Sequence, residues 1–238
     1  MSTATTHDAE QGHAEGHGHG HDPFLAHHFD TPAQQFDSAK LGMWVFICTE
    51  ILMFGGLFVA YGILRNNNPE MVHAAHTHLN RIQGATNTVV LLFSSLTAAL
   101  AVRQAQVGDR KGVNRWLAVT IACAAIFFVV KFFEYSAKFS HGLLPGRYFT
   151  GHLHHDPASL HAPLTFEAHK FFSLYFMMTG LHGIHVLIGM GVLAWAMREN
   201  MKGRVTPGHF TAVEIGALYW HLVDLVWIYL FPLLYLVG

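Results

Sequence analysis

Apolar residues in this chain gather into five long blocks, set apart by shorter polar stretches and preceded by a polar leader. The blocks cover residues 41–64, 82–105, 113–139, 169–198 and 211–237. Each reaches the roughly 20 mostly apolar residues that carry a helix across a bilayer. The pattern predicts an all-α fold: a polytopic bundle of five transmembrane helices over residues 39–238, behind a disordered, His-rich tail over residues 1–38. The longest connection, from His141 to about Lys170, separates the third block from the fourth and holds six histidines. No internal repeat is visible.

The polar positions inside the blocks are the informative exceptions. An acidic side chain at the middle of a membrane helix costs on the order of 2.5–3.5 kcal/mol. Such groups face the protein interior and find partners there. The last block carries Glu214, His221 and Asp224. At helical spacing Glu214 and His221 share a face, with Asp224 about one turn beyond His221 on its flank. The first block carries Glu50, the second Asn87, Ser94 and Ser95, the third Lys131, Glu134 and Lys138, and the fourth His182 and His185. Glu134, His182, His185, Glu214, His221 and Asp224 are expected to form an intramembrane polar network.

Composition agrees with a membrane protein. Charged residues make up 12% of the chain, against about 25% in soluble domains. A net charge of −1 gives no basic signature for nucleic acid. Cys48 and Cys123 both lie in apolar runs, and no CxxC or Cys/His metal spacing occurs. The leader lacks the apolar core of a cleaved signal, so the first span is expected to direct insertion. The leader holds seven of the chain's 20 histidines, which suits a solvated tail or adventitious metal binding. Five spans place the termini on opposite sides. Lys and Arg number eight in and around the loops on the N-terminal side and five on the other. The positive-inside rule then puts the N-terminus in the cytoplasm and the C-terminus outside.

Each candidate group has a structural and a functional reading. Glu50 is either a neutral or hydrogen-bonded carboxyl that fixes helix packing, or a proton-handling group on a substrate path. Lys131 and Glu134, three apart, are placed to form an ion pair. His182 and His185, also three apart, together with His221 supply three imidazoles, enough for a metal or one side of a haem; the competing reading is interhelical hydrogen bonding. Gly55, Gly56, Gly180, Gly183, Gly189 and Gly191 read as surfaces for close helix approach.

Taken together, these segments resemble subunit III of the haem–copper cytochrome c oxidases. The resemblance covers residues 39–238 and rests on four motifs. The first span has G-M-W-V-F-I-C-T-E-I-L-M-F, with Glu50 at the position of the family's membrane-buried, carbodiimide-reactive glutamate. The second has N-T-V-V-L-L-F-S-S, followed by G-D-R-K. The fourth has T-G-L-H-G-I-H-V-L-I-G and the fifth Y-W-H-L-V-D-L-V-W. The resemblance implies a non-catalytic subunit with no catalytic residue and no metal of its own, haem and copper residing in partner subunits. It implies direct contact with oxidase subunit I, association with subunit II and other oxidase subunits, support of proton uptake, and bound phospholipid. The implied complex oxidises cytochrome c, reduces oxygen to water and pumps protons across a bacterial inner membrane. Lipid head groups are implied at His27 and His28 and at Arg198. Many members of the family have seven spans; this chain matches the last five. The rival readings are subunit III of a quinol oxidase, an accessory protein of nitric oxide reductase, and an independent membrane metalloenzyme.

Overall fold

The computed structural model describes residues 29–144, 148–150 and 164–236. Its elements are α1 (Pro32–Asn67), α2 (Pro69–His76), α3 (Arg81–Val107), α4 (Arg110–Ser140), a 3₁₀ turn (Phe166–Ala168), α5 (His169–Met201), α6 (Thr211–Phe231) and a π turn (Pro232–Leu236). Among the described residues five helices are long and apolar enough to cross a membrane. The described residues contain no strand element, which agrees with the all-α expectation.

Local chemistry explains where the helices begin and end. α1 starts earlier than its apolar block because Thr31 and Gln34 cap it. The Thr31 hydroxyl accepts from the Gln34 N–H at 3.2 Å, and Gln34 Oε1 accepts from the Asp30 N–H at 2.8 Å. This reciprocal arrangement satisfies donors that a helix start leaves free. Residues 29–37 and 38–236 belong to two separate compact units; the tail expected over residues 1–38 falls mostly outside the described residues. α3 is capped by Asn80, which accepts from the N–H groups of Ile82 and Gln83. The G-D-R-K motif is a two-residue elbow. Gly108 ends α3 at φ +80°, and Asp109 opens α4 by accepting from the N–H groups of Lys111 and Gly112. A non-glycine residue is strained at that φ. The short helix α2 is an element that block reading misses, because eight residues cannot register as a span.

α3, α4, α5 and α6 close a four-helix ring: α3 lies against α4 and α6, and α5 against the same two. From residue 38 onward α1 leans on the ring. Phe46 stacks on Tyr219 at 5.8 Å, Phe54 meets His185 edge-on at 5.4 Å, and Tyr61 lies 6.2 Å from Phe171, centroid to centroid. The other face of α1, including Leu41, Val45, Leu52 and Val59, is exposed. Trp220, Trp227, Phe127, Tyr175 and Tyr235 fill the ring. In lipid, apolar burial between helices gives little net driving force, so close packing and polar contacts hold such a ring together.

The glycine expectation needs correction. A Cβ at Gly55, Gly56, Gly180 or Gly191 would meet nothing within 4 Å, so these four lie on open helix faces, and at Gly183 it would meet Phe128 only at 3.8 Å. Gly189 does serve close approach: a Cβ there would sit 2.9 Å from Trp220 Cε3. Gly84, which the sequence does not single out, is equally required, with Phe231 at 2.9 Å and Tyr235 at 3.0 Å.

Candidate functional site

α1 and α5 bring Glu50 and His185 together near mid-span. His185 Nδ1 lies 2.8 Å from the carbonyl of Leu181, one turn back. A carbonyl can only accept, so this nitrogen carries the proton and Nε2 is left to face Glu50. Nε2 is 3.0 Å from Glu50 Oε2. Among the described residues Oε2 has no hydrogen-bond partner, so the contact is one of close approach. The Tyr219 hydroxyl donates to the His185 carbonyl at 3.1 Å, and Phe54 shields the ring. Each side chain of the pair retains 13% exposure, so the pair opens at the outer seam of α1 and α5.

A second cluster is closed. Glu134 Oε1 accepts from the Tyr235 hydroxyl at 2.6 Å, the Tyr175 hydroxyl at 2.7 Å and Lys138 Nζ at 3.0 Å, while Oε2 accepts from Lys131 Nζ at 2.9 Å. Lys131 also sits 4.9 Å from the Trp227 ring centroid, a cation–π contact. All five polar residues are buried. The expected Lys131–Glu134 pair is thus the core of a larger group. Lys138, at the end of the third block and counted among the five outer cations, is turned inward.

The remaining polar groups separate. Lys40 Nζ pairs with Glu214 Oε1 at 2.8 Å. Ser95 Oγ and His221 Nδ1 are 2.6 Å apart. Ser94 Oγ donates to Asp224 Oδ2 at 3.3 Å and accepts from Trp220 Nε1 at 3.0 Å. His182 is fully buried beside Phe127 and Trp227, and among the described residues neither ring nitrogen has a hydrogen-bond partner. The six residues expected as one intramembrane network therefore occupy six separate surroundings. The reason is geometric: they sit on three helices at different depths, and short side chains reach only the nearest neighbouring helix. Among the described residues no three His, Cys, Asp or Glu side chains converge in a metal-binding arrangement.

Outside the spans, α2 places His76 Nε2 2.8 Å from the Tyr61 hydroxyl and its ring against Phe171. Burial, reinforced by Arg65 and Arg81, pushes the imidazole down to about 4. Arg198 is exposed in the last turn of α5. His27 and His28 lie outside the described residues. Tyr175 and Tyr235 are the polar groups that sequence reasoning missed. Tyrosines near span ends usually belong to the interfacial belt, and nothing in their spacing points to Glu134.

The profile of the family "Cytochrome c oxidase subunit III" matches residues 143–238, which contain α5 and α6. The chain is 34% identical over 201 residues to "Cytochrome c oxidase subunit 3" of Corynebacterium diphtheriae, covering 83% of this chain and 87% of that protein. The chain belongs to the cytochrome c oxidase subunit III family. It is also 31% identical to the subunit 3 of Thermostichus vulcanus, over 84% of this chain and 88% of that protein. "Quinol oxidase subunit 3" of Bacillus subtilis is 30% identical over 83% of this chain and 86% of that protein. The profile match takes in His182, His185, Glu214, His221 and Asp224; Glu50 and Glu134 lie ahead of it.

Proposed function

We propose that this chain is the non-catalytic subunit III of a proton-translocating terminal oxidase that takes electrons from cytochrome c and reduces oxygen to water. The observation that carries the reading is the family relationship over four-fifths of the chain, with relatives named as cytochrome c oxidase subunits. The haem and copper of such a complex belong to its partner subunits. His182, His185 and His221 support this division of labour, since they face three different surroundings. Subunit I is the direct partner, docking where the Glu50–His185 pair opens along the exposed face of α1. There Glu50 acts as a buried carboxyl that supports proton uptake, and it takes no part in redox chemistry. Bound phospholipid at Arg198, and at His27 and His28, completes the reading.

The chain resides in a bacterial inner membrane with its N-terminus in the cytoplasm. The inward turn of Lys138 strengthens the charge argument: it removes one of five cations from the outer tally, against eight on the cytoplasmic side. The relationship to a quinol oxidase subunit 3 favours a second reading, in which the same subunit serves a quinol-fed complex.

Purification through a tag on this chain in mild detergent tests the proposal, with mass spectrometry and an optical spectrum as readouts. Co-purifying large subunits, haem absorbance and oxygen consumption are expected. A partner subunit II with a dinuclear copper motif selects cytochrome c, and one without it selects quinol. A chain that purifies alone and carries stoichiometric metal outside the tail would overturn both.

A further inference from the structure

A groove of about 590 Å³ runs along the outer seam of α3 and α6, at the end of the membrane opposite Arg198. Ile82, Ala85, Val89 and Val90 of α3 line it, with Phe231 and Leu236 closing the far wall. It exists because Gly84 lets Phe231 and Tyr235 press against α3, and because Ala85 beside it is short. Arg81 lines its polar end at the first turn of α3, and Thr86 adds a hydroxyl. Among the described residues Arg81 makes no ion pair, and no acidic side chain lines the groove.

Two dimensions define an occupant. The rise from Arg81 to Val90 is about 13.5 Å, close to the roughly 15 Å hydrocarbon depth of one leaflet. A molecule that fits therefore has an anionic head at the interface and an apolar tail of leaflet length. A guanidinium recognises a phosphate diester through paired N–H donors, and the positive end of α3 adds to its field. A zwitterionic head would also need an acid for its amine, and the groove offers none. We infer that the α3–α6 groove is a binding site for one anionic phospholipid, with its phosphate on Arg81 and an acyl chain laid along Ile82 to Val90. This site is separate from head-group contacts at Arg198, which lie in the other leaflet.

The test uses the complex that holds this chain, reconstituted in vesicles containing a trace of phosphatidylglycerol with a photoreactive group midway along one acyl chain. The same probe on phosphatidylcholine serves as comparison. Cross-linked peptides are mapped by mass spectrometry, and haem absorbance verifies assembly of each variant. Labelling of residues 82–90 and 231–236 by the anionic probe is expected. It should fall about five- to tenfold in Arg81→Gln and likewise in Ala85→Phe, which fills the groove while leaving the cation. Equal labelling by phosphatidylcholine with no effect of Arg81→Gln would mean unspecific boundary lipid and overturn the assignment. Loss of labelling to excess inorganic phosphate would make the site one for a free anion and overturn it too. Absence of labelling by either probe would show the seam covered by something else, with the same consequence.

Discussion

Replacing Glu134 with Gln should cost the fold about 3–5 kcal/mol, the range for breaking a buried ion pair by removing one partner. The substitution preserves volume, so no cavity enters the sum and the change is one of charge and donors. The native carboxylate receives two hydroxyls and two ammonium groups at 2.6–3.0 Å. A glutamine keeps one oxygen and aims an NH₂ at whatever faced the other. If that group meets Lys131, a donor meets a donor. Two buried lysines then share no anion, which places the cost at the upper end of the range. Replacing both lysines with Met in the Glu134→Gln background should recover most of the loss, because neutral groups of similar length can fill a buried site without unpaired charge. Thermal release of this chain from the purified complex is a suitable assay. At roughly 2–4 °C per kcal/mol for chains of this size, the single variant should lose about 6–20 °C. A shift below about 2 °C, or a triple variant no more stable than the single one, would refute the reasoning.

Four further outcomes are expected. Glu50→Ala should leave haem absorbance and initial oxygen consumption largely intact while altering proton uptake or the rate of inactivation during turnover; loss of haem from an assembled complex would count against an accessory role. Gly189→Val should destabilise by about 1–3 kcal/mol through overpacking on Trp220 and Tyr219, whereas Gly180→Ala should stay within about 0.5 kcal/mol, both read as melting midpoints. His76 is held at about 4 in the fold against 6.5 when unfolded. The unfolded chain therefore takes up a proton first, so stability is complete above pH 6.5 and falls by about 3 kcal/mol as pH drops to 4; His76→Gln should flatten that part of the pH–melting curve. Ser95→Ala should cost about 1–3 kcal/mol by leaving His221 without its close partner, measured by subunit retention in detergent.

The legible part of the site was the set of groups that a bilayer makes conspicuous. Glu50, Glu134, His185 and Asp224 stand out because any charged or strongly polar side chain within an apolar block needs a partner. The Lys131–Glu134 pair follows from spacing on a single helix. Partners on other helices were not legible. Whether His185 meets Glu50, Glu214 or His221 depends on the rotation of α1 and α6 about their axes, and no local pattern encodes that. Lys138 counts among the outer cations because it sits at the end of its block; in the fold the last turn of α4 points it inward to Glu134. The open glycines show the converse: a small residue permits close approach but does not summon a neighbouring helix.

The sequence by itself determined the five spans and their order. A run of about 20 apolar residues satisfies its own backbone hydrogen bonds as a helix, and lipid offers no alternative partner. Caps such as Asn80 and the Gly108–Asp109 elbow act within a few residues, so they too are local. The motifs likewise fixed the family, since they are contiguous in the chain. Tertiary structure alone decided which helices close the ring, that α1 leans on its outside, and how the buried polar groups divide into separate contacts. Those outcomes depend on side-chain shape at crossings between residues far apart in sequence, as where Trp220 fits over Gly189 and Tyr235 reaches Glu134.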